Sequence, residues 1–155
     1  MGRLDFTYQA SFLQKADFQS LPTVATIPWA GYYGTDVGVP YPKTKFSQRT
    51  TWNVGNFSLG YNWRYIGETS VQANQVGNFL PQNETLKAVS YVDLNGSWQA
   101  MKNLKLALTI NNAFDKAPPI IGTGITTGAY NFGNTIPLLY DVIGRRYTLT
   151  AQANF

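Results

Sequence analysis

Arg146-Tyr147-Thr148-Leu149-Thr150-Ala151-Gln152-Ala153-Asn154-Phe155 alternates polar and apolar residues without a break. Successive side chains on a strand point to opposite faces, so this stretch predicts a β-strand with one dry face and one wet face. The same period recurs upstream. Leu104, Leu106, Leu108 and Ile110 alternate with Lys105, Ala107, Thr109 and Asn111, and Val92, Leu94, Gly96 and Trp98 alternate with Tyr91, Asp93, Asn95 and Ser97. Phe57, Leu59, Tyr61, Trp63 and Tyr65 oppose Asn56, Ser58, Gly60, Asn62 and Arg64, and Leu4, Phe6, Tyr8, Ala10 and Phe12 oppose Arg3, Asp5, Thr7, Gln9 and Ser11. A weaker sixth segment covers Phe46 to Val54. No helical period is sustained anywhere, so the expected fold class is all-β, with about six antiparallel amphipathic strands.

Composition narrows the chemistry. Charged residues make up 13% of the 155, against roughly 25% in an ordinary soluble domain. The net charge of +4 is mild and scattered, which predicts no nucleic-acid partner. With no Cys and no His, disulfides, thiolate metal sites, imidazole acid–base chemistry and Ser/His/Asp triads are excluded. The expectation is a protein that is not an enzyme, with no catalytic residues, no metal site and no cofactor. No run of ~18 apolar residues marks a membrane-crossing helix, and Met1 to Tyr8 has no apolar core of a signal peptide.

Strands of about ten residues match the ~9–11 that a tilted strand needs to cross a bilayer, whereas soluble strands more often run ~5–6. Arg3, Asp5, Lys45, Arg49, Arg64, Asp93, Lys105 and Arg146 all fall on the polar phase. A charge at the lipid midplane costs ~2–4 kcal/mol, so this sorting predicts a lipid-facing apolar side that includes Phe57, Leu59, Tyr61, Trp63, Leu106, Leu108, Leu149 and Phe155. Trp52, Trp98 and Tyr147 stand near strand ends, as interfacial aromatics do. The connections also alternate in length. Short turns are expected around Asn53-Val54-Gly55-Asn56 and Ala100-Met101-Lys102-Asn103, and long Gly-, Pro-, Asn- and Thr-rich connections near 16–44, 68–88 and 114–144. Outer-membrane barrels have short periplasmic turns and long extracellular loops in the same alternation.

Asn111-Asn112-Ala113-Phe114-Asp115-Lys116-Ala117-Pro118-Pro119, followed by Tyr140-Asp141-Val142-Ile143-Gly144-Arg145-Arg146-Tyr147 and the terminal Phe155, resembles the C-terminal end of TonB-dependent outer-membrane receptors. Gly38-Val39-Pro40 and Tyr65-Ile66-Gly67 are similar to the preceding hairpin of that family, so the resemblance covers nearly all of 1–155. Ala113 departs from the pattern, which usually carries a larger aliphatic residue there. The resemblance implies a barrel of about 22 strands with an N-terminal plug pulled by the TonB complex. The chain is then the C-terminal segment of the barrel, with plug and earlier strands absent. The implied partners are outer-membrane lipid, the rest of the receptor barrel and plug, TonB through the missing N-terminal part, and the barrel-assembly machinery through the last strand. The implied location is the outer membrane of a Gram-negative bacterium in the full-length parent.

The loop residues best suited to substrate contact are Trp29, Tyr32 and Tyr33, then Asn78 and Phe79, then Tyr130, Asn131, Phe132 and Tyr140, since aromatics with amides suit chelates or sugars. Siderophore-iron, cobalamin and carbohydrate stay open as the transported nutrient. Gly122-Thr123-Gly124-Ile125-Thr126-Thr127-Gly128 lacks the Lys and helix of a phosphate loop. Two other classes are weighed beside the receptor. A passive pore or small barrel needs two more strands near Ala30–Tyr33 and Ile136–Tyr140, and a soluble carbohydrate-binding β-sandwich would stay in solution without detergent.

Overall fold

The computed structural model describes residues 2–78, 80–121 and 134–154. Six long strands form one antiparallel sheet: β1 (Arg3–Phe12), β2 (Thr44–Val54), β3 (Phe57–Ile66), β4 (Val89–Met101), β5 (Leu104–Asn111) and β6 (Arg146–Ala153). They lie side by side in chain order, each paired with its sequence neighbour, which leaves β1 and β6 as the two edges. No α-helix occurs among the described residues, and no helix is long and apolar enough to cross a membrane. The all-β antiparallel architecture follows from the period of two.

The register fixes the faces. One row across the sheet runs Leu4, Trp52, Leu59, Gly96, Leu108, Leu149, and the adjacent row on the other face runs Asp5, Thr51, Gly60, Asn95, Thr109, Thr148. All eight strand charges share the second face. On the first, Phe57, Leu59, Tyr61, Trp63, Leu108 and Leu149 stand exposed with no described residue packed over them, and Leu106 beside them is half-buried. Aromatic rings gather at both ends of that face. Phe57 stacks on Trp98 at 6.0 Å near the turns, while Phe46 touches Tyr8, Trp63 and Tyr65 at 5.7, 4.8 and 4.8 Å near the long connections. β2 breaks the pattern, because Gln48 is buried on this face between its register partners Tyr8 and Trp63. Its amide donates to Thr50 Oγ1, so the polar pair satisfies itself.

Two tight connections close one end of the sheet, here the turn end. Gly55-Asn56 joins β2 to β3, with Gly55 at φ 53° in the first central position, which a II′ turn reserves for glycine. Lys102-Asn103 joins β4 to β5. The turn expected from Ala100 is instead two strand residues and a bulge: Leu104 faces Met101 but Lys105 faces Gln99, so Ala100 is the extra residue. The insertion turns Met101 from the polar phase to the apolar one, beside Leu104.

The three long connections meet at the opposite, loop end. Tyr32–Tyr33 pairs in parallel with Thr69–Val71, which pairs with Thr85–Leu86, and Asp17–Phe18 pairs with Ile27–Pro28. Ile136–Tyr140 forms a turn, not a strand. The buried core lies here: Tyr33, Val71, Leu86, Ile121, Ile136 and Tyr140 from the connections cover Ile66, Val89 and Tyr91 at the top of the polar face. The apolar core is therefore on the charged side of the sheet, and the dry face is left bare.

Candidate functional site: the loop end of the polar face

The two stretches flanking the third connection are tied together by their polar side chains. Asn112 and Asp115 adopt left-handed backbone, φ 48° and 52°, a region that Asn and Asp tolerate better than other side chains. Asn112 is fully buried and closes a small ring: Oδ1 accepts the Lys116 N–H at 2.8 Å and Nδ2 donates to the Lys116 carbonyl at 3.0 Å. Asp115 Oδ1 accepts the Arg145 N–H at 2.9 Å, and its other oxygen is 3.9 Å from the Arg145 guanidinium. Gly144, at φ 81°, passes so close that a Cβ would stand 2.9 Å from Asp115 Oδ1. Asp141 Oδ1 accepts from the N–H groups of Ile143 and Gly144 at 3.1 and 3.3 Å.

A chain of charges then crosses four strands. Arg64 on β3 makes a forked pair with Asp93 on β4, both contacts at 3.1 Å, and its guanidinium carbon lies 5.3 Å from the centre of the Tyr91 ring. Asp93 also accepts from Asn62 Nδ2 at 3.3 Å and from the Asn112 N–H at 2.9 Å. Asp141, its side chain 5% exposed, sits 4.0 Å from Arg64 and 3.5 Å from Arg146 on β6. Arg64 thus bridges two carboxylates and Asp141 bridges two arginines, with N–H groups of Asn112, Ile143 and Gly144 donating to the same carboxylates. This arrangement anchors the described end of the connection to the sheet. It offers no nucleophile–base pair, and no group of metal-ligating side chains occurs among the described residues. Beside this network, a groove of about 490 Å³ is lined by Thr7, Gln9, Ser47, Arg49, Asn62 and Asn95, with Asp93, Thr109 and Asn111. These side chains suit a hydrated, hydrogen-bonding solute or protein surface.

Of the loop residues named as substrate contacts, the described ones form no single exposed cluster. Tyr33 is wholly buried and donates its hydroxyl to the Asn83 carbonyl, and burial raises its ionisation well above the ordinary tyrosine value. Tyr140 lies in the same core, its hydroxyl without a partner, and burial, then the neighbouring Tyr91, push its pKa up to about 12. Both rings are occupied in packing. Tyr32 is half-buried in its short strand, and Trp29 stacks between Phe18 and Tyr41, ring centres 4.9 and 5.2 Å away. Asn78 is exposed. Phe79, Tyr130, Asn131, Phe132 and Phe155 lie outside the described residues. The Arg64–Asp93–Asp141–Arg146 chain is not legible as a unit in the sequence, because its members are far apart along it. The one available signal was a charge repeated on the polar phase of successive strands. No family model matches the chain, and neither the curated proteins nor the solved structures contain one that matches it.

Proposed function

We propose that this chain is wall and loop of a TonB-dependent outer-membrane transporter, serving active uptake of a scarce nutrient such as siderophore-iron, cobalamin or carbohydrate. The observation that carries the reading is the bare apolar face, free of charge and banded by aromatics at both ends, opposite a face that holds every strand charge. From Phe57 to Tyr65 is about 27 Å along β3, or roughly 20 Å along the normal at a tilt of ~40°, near the ~25 Å apolar band of such barrels. The long connections are then extracellular and the two tight turns periplasmic. Further wall strands, a plug in the lumen, TonB and the assembly machinery are the partners this reading requires.

Two features weigh against the other classes. A β-sandwich buries its dry face under a second sheet, but here the core forms on the polar side. An eight-stranded pore needs two more long strands, and Tyr32–Tyr33 and the turn at Ile136–Tyr140 do not supply them among the described residues. Reconstitution of the chain in vesicles of bilayer lipid tests the proposal, with lipids brominated at different acyl depths to quench tryptophan. Trp52, Trp63 and Trp98 are expected to be quenched most strongly by shallow labels. A chain that stays soluble and monomeric without detergent, its tryptophans untouched by brominated lipid, overturns it. Translating the reading frame upstream tests the transporter class itself: a plug-encoding region is expected, and barrel-free upstream sequence overturns that part.

A further inference from the structure

The dry face is not level. Gly96 is the one glycine among its strand residues, and the missing side chain leaves a groove of about 400 Å³ in the middle of the sheet. Its register partners Leu59 and Leu108 form the two flanks, Leu94 closes the groove toward the loop end, and Leu106 and Trp98 line it toward the turns. No charged residue lines it. A dry cavity of ~150 Å³ already holds a benzene ring, so this groove has room for a stretch of hydrocarbon chain. β3, β4 and β5, which carry these residues, are each paired on both sides, so the groove is independent of whatever lies beyond the sheet edges.

A cation stands at a matching depth. Leu94 pairs with Tyr61, midway between the aromatics Phe57 and Tyr65, so Leu94 marks the centre of the dry band and Gly96 lies on its turn side. From Leu94 to Lys102 in the β4–β5 turn is about 23 Å along the strand with the bulge discounted, or ~18 Å along the normal at a tilt of ~40°. The apolar band reaches ~12 Å from its centre and head groups fill the next ~5–7 Å, so Lys102 is at head-group level and Trp98 near the edge of the hydrocarbon. The Gln99 amide donates to the Met101 and Leu104 carbonyls at 2.8 and 3.3 Å and holds this turn. The charge there is unbalanced. Asp5, the acid of the turn end, is held by Arg3 and Asn53, whereas Lys102 is exposed with no ion-pair partner among the described residues, and Lys105, equally unpaired, is on the other face.

We propose that this part of the wall binds one anionic phospholipid of the turn-side leaflet, with an acyl chain in the Gly96 groove past Trp98 and the phosphate paired with Lys102. The inference rests on the reading of the apolar face as lipid-facing and adds to it a preference for one lipid class. A neutral lipid fills the groove equally well, so Lys102 carries the choice, a lysine at an anionic lipid surface giving about a fivefold preference.

Trp52→Phe and Trp63→Phe in the full chain leave Trp98 as the tryptophan of the dry face. The protein is refolded into phosphatidylcholine vesicles containing increasing mole fractions of lipid with brominated acyl chains, carried on either phosphatidylglycerol or phosphatidylcholine. Brominated phosphatidylglycerol is expected to quench Trp98 at about a fivefold lower mole fraction, and native mass spectrometry to find one phosphatidylglycerol retained per chain. Lys102→Gln is expected to remove the head-group difference while both lipids still quench Trp98. Gly96→Leu is expected to lose the retained lipid by filling the groove, since at close range its Cβ meets only the end of the Leu59 side chain, at 3.2 Å, which can give way. Equal quenching by the two head groups before either substitution, a preference that survives Lys102→Gln, or lipid still retained by Gly96→Leu overturns the site and leaves the lipid-facing assignment intact. A Trp98 that neither lipid quenches overturns the lipid-facing assignment and the site built on it.

Discussion

Asn112 concentrates several demands in one residue: left-handed backbone, complete burial and a two-point grip on Lys116. Asn112→Gly keeps the backbone at ease and loses only the grip, whereas Asn112→Ala adds about 1–2 kcal/mol of left-handed strain. The alanine variant is therefore expected to unfold at the lower denaturant concentration of the two, and equal midpoints would remove the strain from the account. Tyr140 gives a pH window instead. Its pKa rises from the ordinary 10.0 to about 12 on folding, so between those values the unfolded chain has released a proton that the folded chain still holds. The contribution of Tyr140 to stability falls as pH climbs through that interval and is mostly lost by about 12. Tyr140→Phe is expected to flatten the loss and to cost little at neutral pH, since the hydroxyl has no partner to lose. Unfolding midpoints followed from pH 9 to 12 check both parts. None of this was legible beforehand: an aromatic in a long connection reads alike whether it greets a ligand or packs, and only the fold places Tyr33 and Tyr140 in a core.

At the scale of the element, alternation was a faithful guide wherever a strand separates two environments, which is why β1, β3, β5 and β6 stand close to where the sequence put them. It failed where a strand departs from strict alternation. β4 runs on to Met101 because the Ala100 bulge repairs the phase, and β2 reads weakly because Gln48 and Thr50 occupy apolar-side positions and satisfy each other. Deleting Ala100 removes the extra residue, so Met101 is expected to stay on the apolar face opposite Leu104 and the hairpin to keep its register without the bulge. A cross-link between cysteines at Gln99 and Lys105, partners in the present register, checks this by persisting in the deletion variant, and its loss would mean Ala100 is not the extra residue. The Asp141 network is equally illegible, since its partners lie on β3 and β6. Asp141→Asn is expected to cost about 1–2 kcal/mol, discounted because both arginines are part-exposed. Amide exchange across 134–145 is expected to quicken while that of β5 stays slow, and uniform protection would mean the anchor is idle.

For the whole molecule, what matters is which face is dry and what it meets. If the apolar face lies in lipid, Leu108→Arg costs about 2–4 kcal/mol near the middle of the band, and Thr109→Arg, one step along and on the opposite face, costs little. Folding titrations into lipid vesicles compare the pair, and equal effects would argue that both faces meet water. The sheet and its faces were readable because a single physical rule repeats along the chain. The core at the loop end was not, because its members come from three connections with no period in common. The tight turns have a consequence in time. Hairpins with such short connections form in about 1–10 μs, so β2 with β3 and β4 with β5 are ready-made before the three long connections have found their closure. β1 and β6 belong to neither hairpin and are laid down afterwards. The strands that arrive last are thus the ones whose outer backbone groups stay unclaimed longest, and during assembly the chain is most receptive to another strand at these two borders.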